Sequence, residues 1–184
     1  MKNLKILGLF LGLTLFMGTA SGCAQEQGVK FPALDKSPAD IALLRLDRTA
    51  PVLVKVVYGR PQKKGRTLFG ALVPNDKVWR TGANEATEIT FYKDVTFGGE
   101  KIKAGTYVLH TIPNEKEWTI ILNKNLNVWG SYEYIESADL VRLKVKPSTA
   151  EESLEAFSIA FDTGENMAMV LGWGKTRVEI SLKF

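Results

Sequence analysis

Between Tyr58 and Thr87 the chain gathers the side chains best suited to holding a ligand. Arg60, Lys63, Lys64 and Arg66 place four cations in seven residues around Pro61 and Gly65. Trp79 and Arg80 follow in the run VWRTGANEAT, residues 78–87. An arginine fork binds carboxylate or phosphate through two parallel hydrogen bonds, whereas Lys64 acts as a point charge. Asn84 and Thr87 add neutral donors and Glu85 a carboxylate. Tyr58 and Trp79 supply apolar walls or a stacking face for a sugar ring or a guanidinium.

Two readings of this constellation stand side by side. In the first, the loops meet at one end of the fold. Tyr58, Arg60, Lys64, Arg66, Trp79, Arg80, Asn84 and Glu85 then line a pocket for a small anionic or polyhydroxy ligand. In the second, Arg80 pairs with Glu85 or Glu88, Trp79 anchors the core, Gly82 is a positive-φ turn residue, and the loops brace each other.

Most other chemistry is discounted by composition. His110 is the only histidine and Cys23 the only cysteine, so no His-rich or thiolate metal site can form. No metal or cofactor is expected. No G-x-S-x-G elbow, P-loop or G-x-G-x-x-G fingerprint is present. A carboxylate pair for hydrolysis could be drawn from Glu85, Glu88, Asp94 or Asp139, but any chain with 20 acidic residues offers as much. Trp118, Trp129, Tyr132 and Tyr134 lie close in sequence, as a carbohydrate platform or as core aromatics. No catalytic residue can be named.

The elements that must position these groups read as strands. TRVEISLKF alternates, with Val178, Ile180, Leu182 and Phe184 on one face. VRLKVK, AFSIAFD and MAMVLGW repeat the period of two that marks half-buried strands. TLFGALV reads as a further short strand. Gly98-Gly99 predicts a two-residue hairpin; Pro74-Asn75-Asp76, Pro113-Asn114, DTGEN and GWGKT predict turns. Ser37 and Pro38 offer a cap and a first helical position, which predicts a short helix over 38–46. The sum is an all-β antiparallel sandwich of about 8–10 strands, one domain over 37–184.

The first residues belong to targeting. Lys2 and Lys5, an apolar run over 6–17 and the small-residue exit GTASGCAQ make a signal peptide over 1–22. The run is shorter than the roughly 20 residues a membrane span needs. ASGC resembles a lipobox, which would place a diacylglycerol on Cys23 and a tether over 23–36. The expected location is the periplasm or outer membrane. Without Lys2 and Lys5 the 24 basic residues become 22, against 20 acidic ones, a net charge of about +2. That balance suggests no nucleic-acid partner.

The chain resembles the bacterial domain-of-unknown-function family 2911, whose members are predominantly exported. YGRPQKKGR, LFGALVP, VWRTGANEATEI, GGEKIKAGTYVLHTIP, EWTIILNK and WGSYEY with Asp139 carry the resemblance, over roughly 37–184. The sequence departs at Asn75-Asp76, where the family often has an aromatic followed by Gly. The family implies no reaction. The first expectation is therefore a non-catalytic binder of a small ligand or envelope component. A carboxylate-dependent hydrolase using Glu85 and Arg80, and a scaffold docking partners through Arg142, Lys144 and Lys146, are the alternatives.

Overall fold

The computed structural model describes residues 28–184. The expected signal peptide and Cys23 lie outside them, as does the start of the tether. Residues 28–33 are exposed without regular secondary structure, and Leu34–Phe184 forms a compact unit.

That unit contains ten strands: β1 (Ala39–Leu44), β2 (Val54–Gly59), β3 (Thr87–Phe91), β4 (Val95–Phe97), β5 (Glu100–Ile102), β6 (Gly105–Ile112), β7 (Trp118–Asn123), β8 (Asp139–Val145), β9 (Ser148–Asp162) and β10 (Ala168–Lys183). A single 3-10 turn spans Glu136–Ala138. Six strands form one sheet in the order β1-β2-β3-β6-β7-β8, and four form a second in the order β5-β4-β10-β9. Neighbours pair antiparallel throughout. The architecture is the all-β antiparallel sandwich that the alternation implies.

The core lies between the sheets. Val54, Val56, Ile89, Phe91, Leu109, Ile120 and Leu122 from the larger sheet meet Phe157, Ile159, Met169, Leu171, Trp173, Val178 and Ile180 from the smaller. The larger sheet also buries part of its outer face. Residues 124–138 cross it, and Ala86, Val108 and Val128 form a second small cluster beneath them.

Four local expectations change. Residues 38–46 do not form a helix: β1 pairs with β2 from Ala39↔Gly59 to Leu44↔Val54. Ser37 and Pro38 are weak local cap signals, and six ladder positions against a core strand outweigh them. TLFGALV is a turn-rich segment closed by a single Phe69↔Val73 bridge. GWGKT is not a turn. It is a bulged stretch inside β10, where pairing with β9 slips between Gly172, Gly174 and Thr176 and Gly174 takes φ +55°. The extra residue moves the inward face from odd positions (Met169, Leu171, Trp173) to even ones (Val178, Ile180, Leu182). Phe184, past the end of that strand, is exposed rather than inward. The Gly98-Gly99 hairpin forms as expected, with Phe97 opposite Glu100 and both glycines at positive φ.

Candidate functional site

The run 78–87 is knit to three neighbours. Trp79 exchanges both backbone hydrogen bonds with Thr111, at 2.7 and 3.0 Å, pairing with β6 beyond the last β3 position at Thr87↔Leu109. Its indole enters the core and stacks on Trp173 at 6.0 Å, and its Nε1–H donates to Gly82 O at 3.2 Å. Thr81 then turns the chain at φ +57°, a conformation β-branched residues rarely adopt. Its hydroxyl donates to Thr111 Oγ1 at 3.1 Å, and its carbonyl accepts the Thr87 hydroxyl at 2.7 Å. Gly82 and Ala83 press against Gly59 at the end of β2: a Cβ on Gly59 would stand 2.2 Å from Ala83 O. Beyond them Asn84 O accepts Gly130 N–H and Ala86 N–H donates to Val128 O, so residues 84–86 pair with 128–130.

The eight candidate ligand groups disperse over this frame. Arg60 ties the two sheets together. It reaches Asp40 Oδ2 at 2.9 Å, Phe157 O at 3.1 Å and Ser158 Oγ at 2.8 Å. Tyr58 is buried, its hydroxyl accepting Ile159 N–H at 3.1 Å, and burial raises its pKa above the ordinary value. Arg66 donates to Lys63 O and Gln62 O within its own loop. Arg80 pairs with neither Glu85 nor Glu88. It sits under Trp129, 5.8 Å from the ring centroid, and its Nε is buried without a partner.

The aromatic segment divides as well. Trp118 belongs to the core. Trp129 is 56% exposed and stacks on Tyr132, 80% exposed, at 5.6 Å and 10°. Tyr134 packs edge-on against His110 at 5.2 Å. Its hydroxyl donates to Asp139 Oδ2 at 2.5 Å. Burial, then this bond and the Asp139 charge, push its pKa up. His110 itself is 1% exposed. Burial lowers its pKa despite the nearby Asp139 charge, and its Nδ1 has no partner.

A cleft of about 450 Å³ opens where these parts meet the outer face of β1 and β2. Ser37, Ala39 and Val57 line one side. Asn84, Glu85 and Trp129 line the other, with Glu88 and Asn127 beside them. Glu88 Oε1 accepts Asn127 N–H at 3.0 Å. Tyr58 also lines the cleft; Arg60, Lys64, Arg66, Trp79 and Arg80 are not among its lining residues. The volume falls in the range of small-molecule sites.

The family described as "Protein of unknown function (DUF2911)" matches residues 40–182. The chain belongs to the DUF2911 family. No curated protein and no solved structure matches it. In this DUF2911 protein the departure at Asn75-Asp76 remains a turn. Asp76 takes φ +58°, its N–H donates to Pro113 O, and its carboxylate accepts from Asn114 Nδ2.

A second depression, of about 400 Å³, adjoins the cleft and shares Ser37 with it. It collects Lys64 and Arg66 from the sequence-derived set, together with Lys36 and Gln62. Sequence reasoning did not single out Ser37, Val57 or Asn127 for a site. They reach the cleft only through the β1–β2 pairing and the bridge of Glu85 to Trp129. Among the described residues, no group of three or more His, Cys, Asp or Glu side chains is placed to hold a metal ion.

Proposed function

We propose that this DUF2911 protein is an exported, lipid-anchored and non-catalytic binder of a small polyhydroxy ligand, held in the cleft beside Trp129. One observation carries the reading: a half-exposed indole at the wall of a cleft that is also lined by two carboxylates, two amides and the hydroxyl-bearing side chains of Ser37 and Tyr58. The C–H face of a sugar ring stacks on such an indole. Its hydroxyls donate to Glu85 and Glu88 and accept from Asn84 and Asn127. Tyr132 and Arg80 back the Trp129 ring, so less side-chain freedom is lost on binding.

Calorimetric titration of the full chain with maltotriose, cellotriose and chitotriose tests this. At least one binds, and Trp129→Ala weakens it about tenfold or more, as loss of one stacking contact worth 1–2 kcal/mol would. The melting temperature stays within about 2 °C, because the ring is largely in solvent. Absence of binding by these sugars and by acidic sugars alike, or equal binding by Trp129→Ala, would falsify the reading.

Glu85 favours a second reading. Its carboxylate lines the same cleft, and no hydrogen bond to it is found among the described residues. Turnover of a bound sugar by wild type, lost in Glu85→Gln, would make the protein a hydrolase.

A further inference from the structure

We infer that the ligand is an acidic sugar, carrying a carboxylate or phosphate that Lys36, Lys64 and Arg66 receive. This rests on the sugar reading of the cleft and specifies which sugars it takes. The cleft and the depression share Ser37 as a lining residue. Their charges are opposite. The charged groups lining the cleft are Glu85 and Glu88, and those lining the depression are Lys36, Lys64 and Arg66.

None of the three cations forms an ion pair among the described residues. Carboxylates stand beside two of them; hydrogen bonds from Ser37 and Asn84, and then the Lys36 charge, hold Asp35 below the usual carboxylate range. Asp35 Oδ1 accepts Ser37 N–H at 2.6 Å, and Glu155 Oε1 accepts Lys64 N–H at 2.6 Å. The second bond also ties the Lys64 loop to β9, with Lys64 held at φ +48°. Arg66 is oriented by its bonds to Lys63 O and Gln62 O, which use Nε and Nη2 and leave Nη1 open. Gathered like charges repel, and a bound anion relieves that repulsion. An acidic wall beside a basic one also sets which end of the ligand points where. A neutral sugar would use only half of this arrangement.

Matched pairs separate the charge from the sugar: N-acetylmuramic acid against N-acetylglucosamine, trigalacturonate against its methyl ester, and glucose 6-phosphate against glucose. Each is titrated into the full chain, with inorganic phosphate alone as a further probe. In at least one pair the acidic member binds about fivefold to tenfold tighter at low salt, as a few solvent-exposed pairs allow. The preference shrinks as the Debye length falls from about 10 Å at 0.1 M to about 3 Å at 1 M salt. Lys64→Gln combined with Arg66→Gln equalises that pair and leaves the neutral member's affinity unchanged, which also shows that the variant is folded.

Equal affinities within every pair in wild type overturn the inference and leave the sugar reading standing. No binding by any member overturns both. A preference that survives both the double substitution and Lys36→Gln removes these residues from the role. Inorganic phosphate binding as tightly as the acidic sugar makes the depression an independent anion site, which also overturns the inference. Whether the preferred pair carries a carboxylate or a phosphate identifies the anionic group.

Discussion

Arg60 donates to groups 20, 97 and 98 residues away in the chain, and Trp79 stacks on Trp173. Neither partner can be read from local spacing, which is why both side chains resemble ligand groups in the sequence and serve as structure in the fold. Trp129 shows the converse. Its aromatic run left a carbohydrate platform and a core role both open, and only the bridge to Glu85 brings it to the cleft. His110 is the residue with the clearest pH consequence. It projects from β6 under residues 124–138. Tyr134 packs on its ring, and the charge of Asp139 acts on it through space. Arg142 lies beyond, paired to Asp139 at 2.8 Å. The antiparallel register at Trp79↔Thr111, carried one residue further, sets Arg80 across from His110. Burial holds the imidazole neutral, with a folded pKa below the ordinary 6.5. Above pH 6.5 both folded and unfolded chains leave it neutral, and pH has no effect through it. As pH falls from about 6.5 toward the folded pKa, the unfolded chain alone takes up the proton. Stability then drops by up to about 1.4 kcal/mol per pH unit. Melting temperature recorded from pH 8 to pH 5 should show this fall. His110→Gln, if folded, should flatten it over that window; an identical slope would assign the fall to other groups.

At the scale of elements, period-two alternation made most strands legible, and the paired glycines located the β4–β5 hairpin. What the alternation concealed is where strands continue. The phase change across Gly172–Gly174 resembles two strands and a turn in one dimension, and is a bulge in three. β1 carries both a helix-cap signal and an inward pair, Ala42 and Leu44, and the presence of β2 decides between them. The run 78–87 was legible as a brace, one of its two readings, but the partners it braces were not, because Gly59, Thr111 and 128–130 lie in three other segments. Its close approach to β2 gives a sharp expectation. A Cβ at Gly59 meets the Ala83 carbonyl, a backbone atom that cannot swing aside. Gly59→Ala should therefore destabilise the domain by about 1–3 kcal/mol, which is roughly 3–10 °C in melting temperature for a domain of this length. Scanning calorimetry measures it. An unchanged midpoint would mean that the bracket yields more readily than its packing implies.

For the whole molecule, a single cysteine leaves no internal disulfide, so the fold depends on its core. Among the described residues no helix is long and apolar enough to cross a membrane. On the proposed anchoring, Cys23→Ser should move the protein from the membrane pellet to the soluble fraction and leave its melting temperature unchanged. Equal partition of both forms would remove the anchor. The place where the chain joins the sandwich then acquires a meaning of its own. Ser37 lines both the cleft and the cationic depression. A tether of residues 23–36, fully extended, reaches no more than about 50 Å. A lipid on Cys23 would thus hold the mouth of the cleft inside a shallow layer above the bilayer, sweeping a hemisphere of that radius. For a sugar polymer fixed in the same layer, capture would cease to be a matter of bulk concentration and become one of overlap between two leashed volumes.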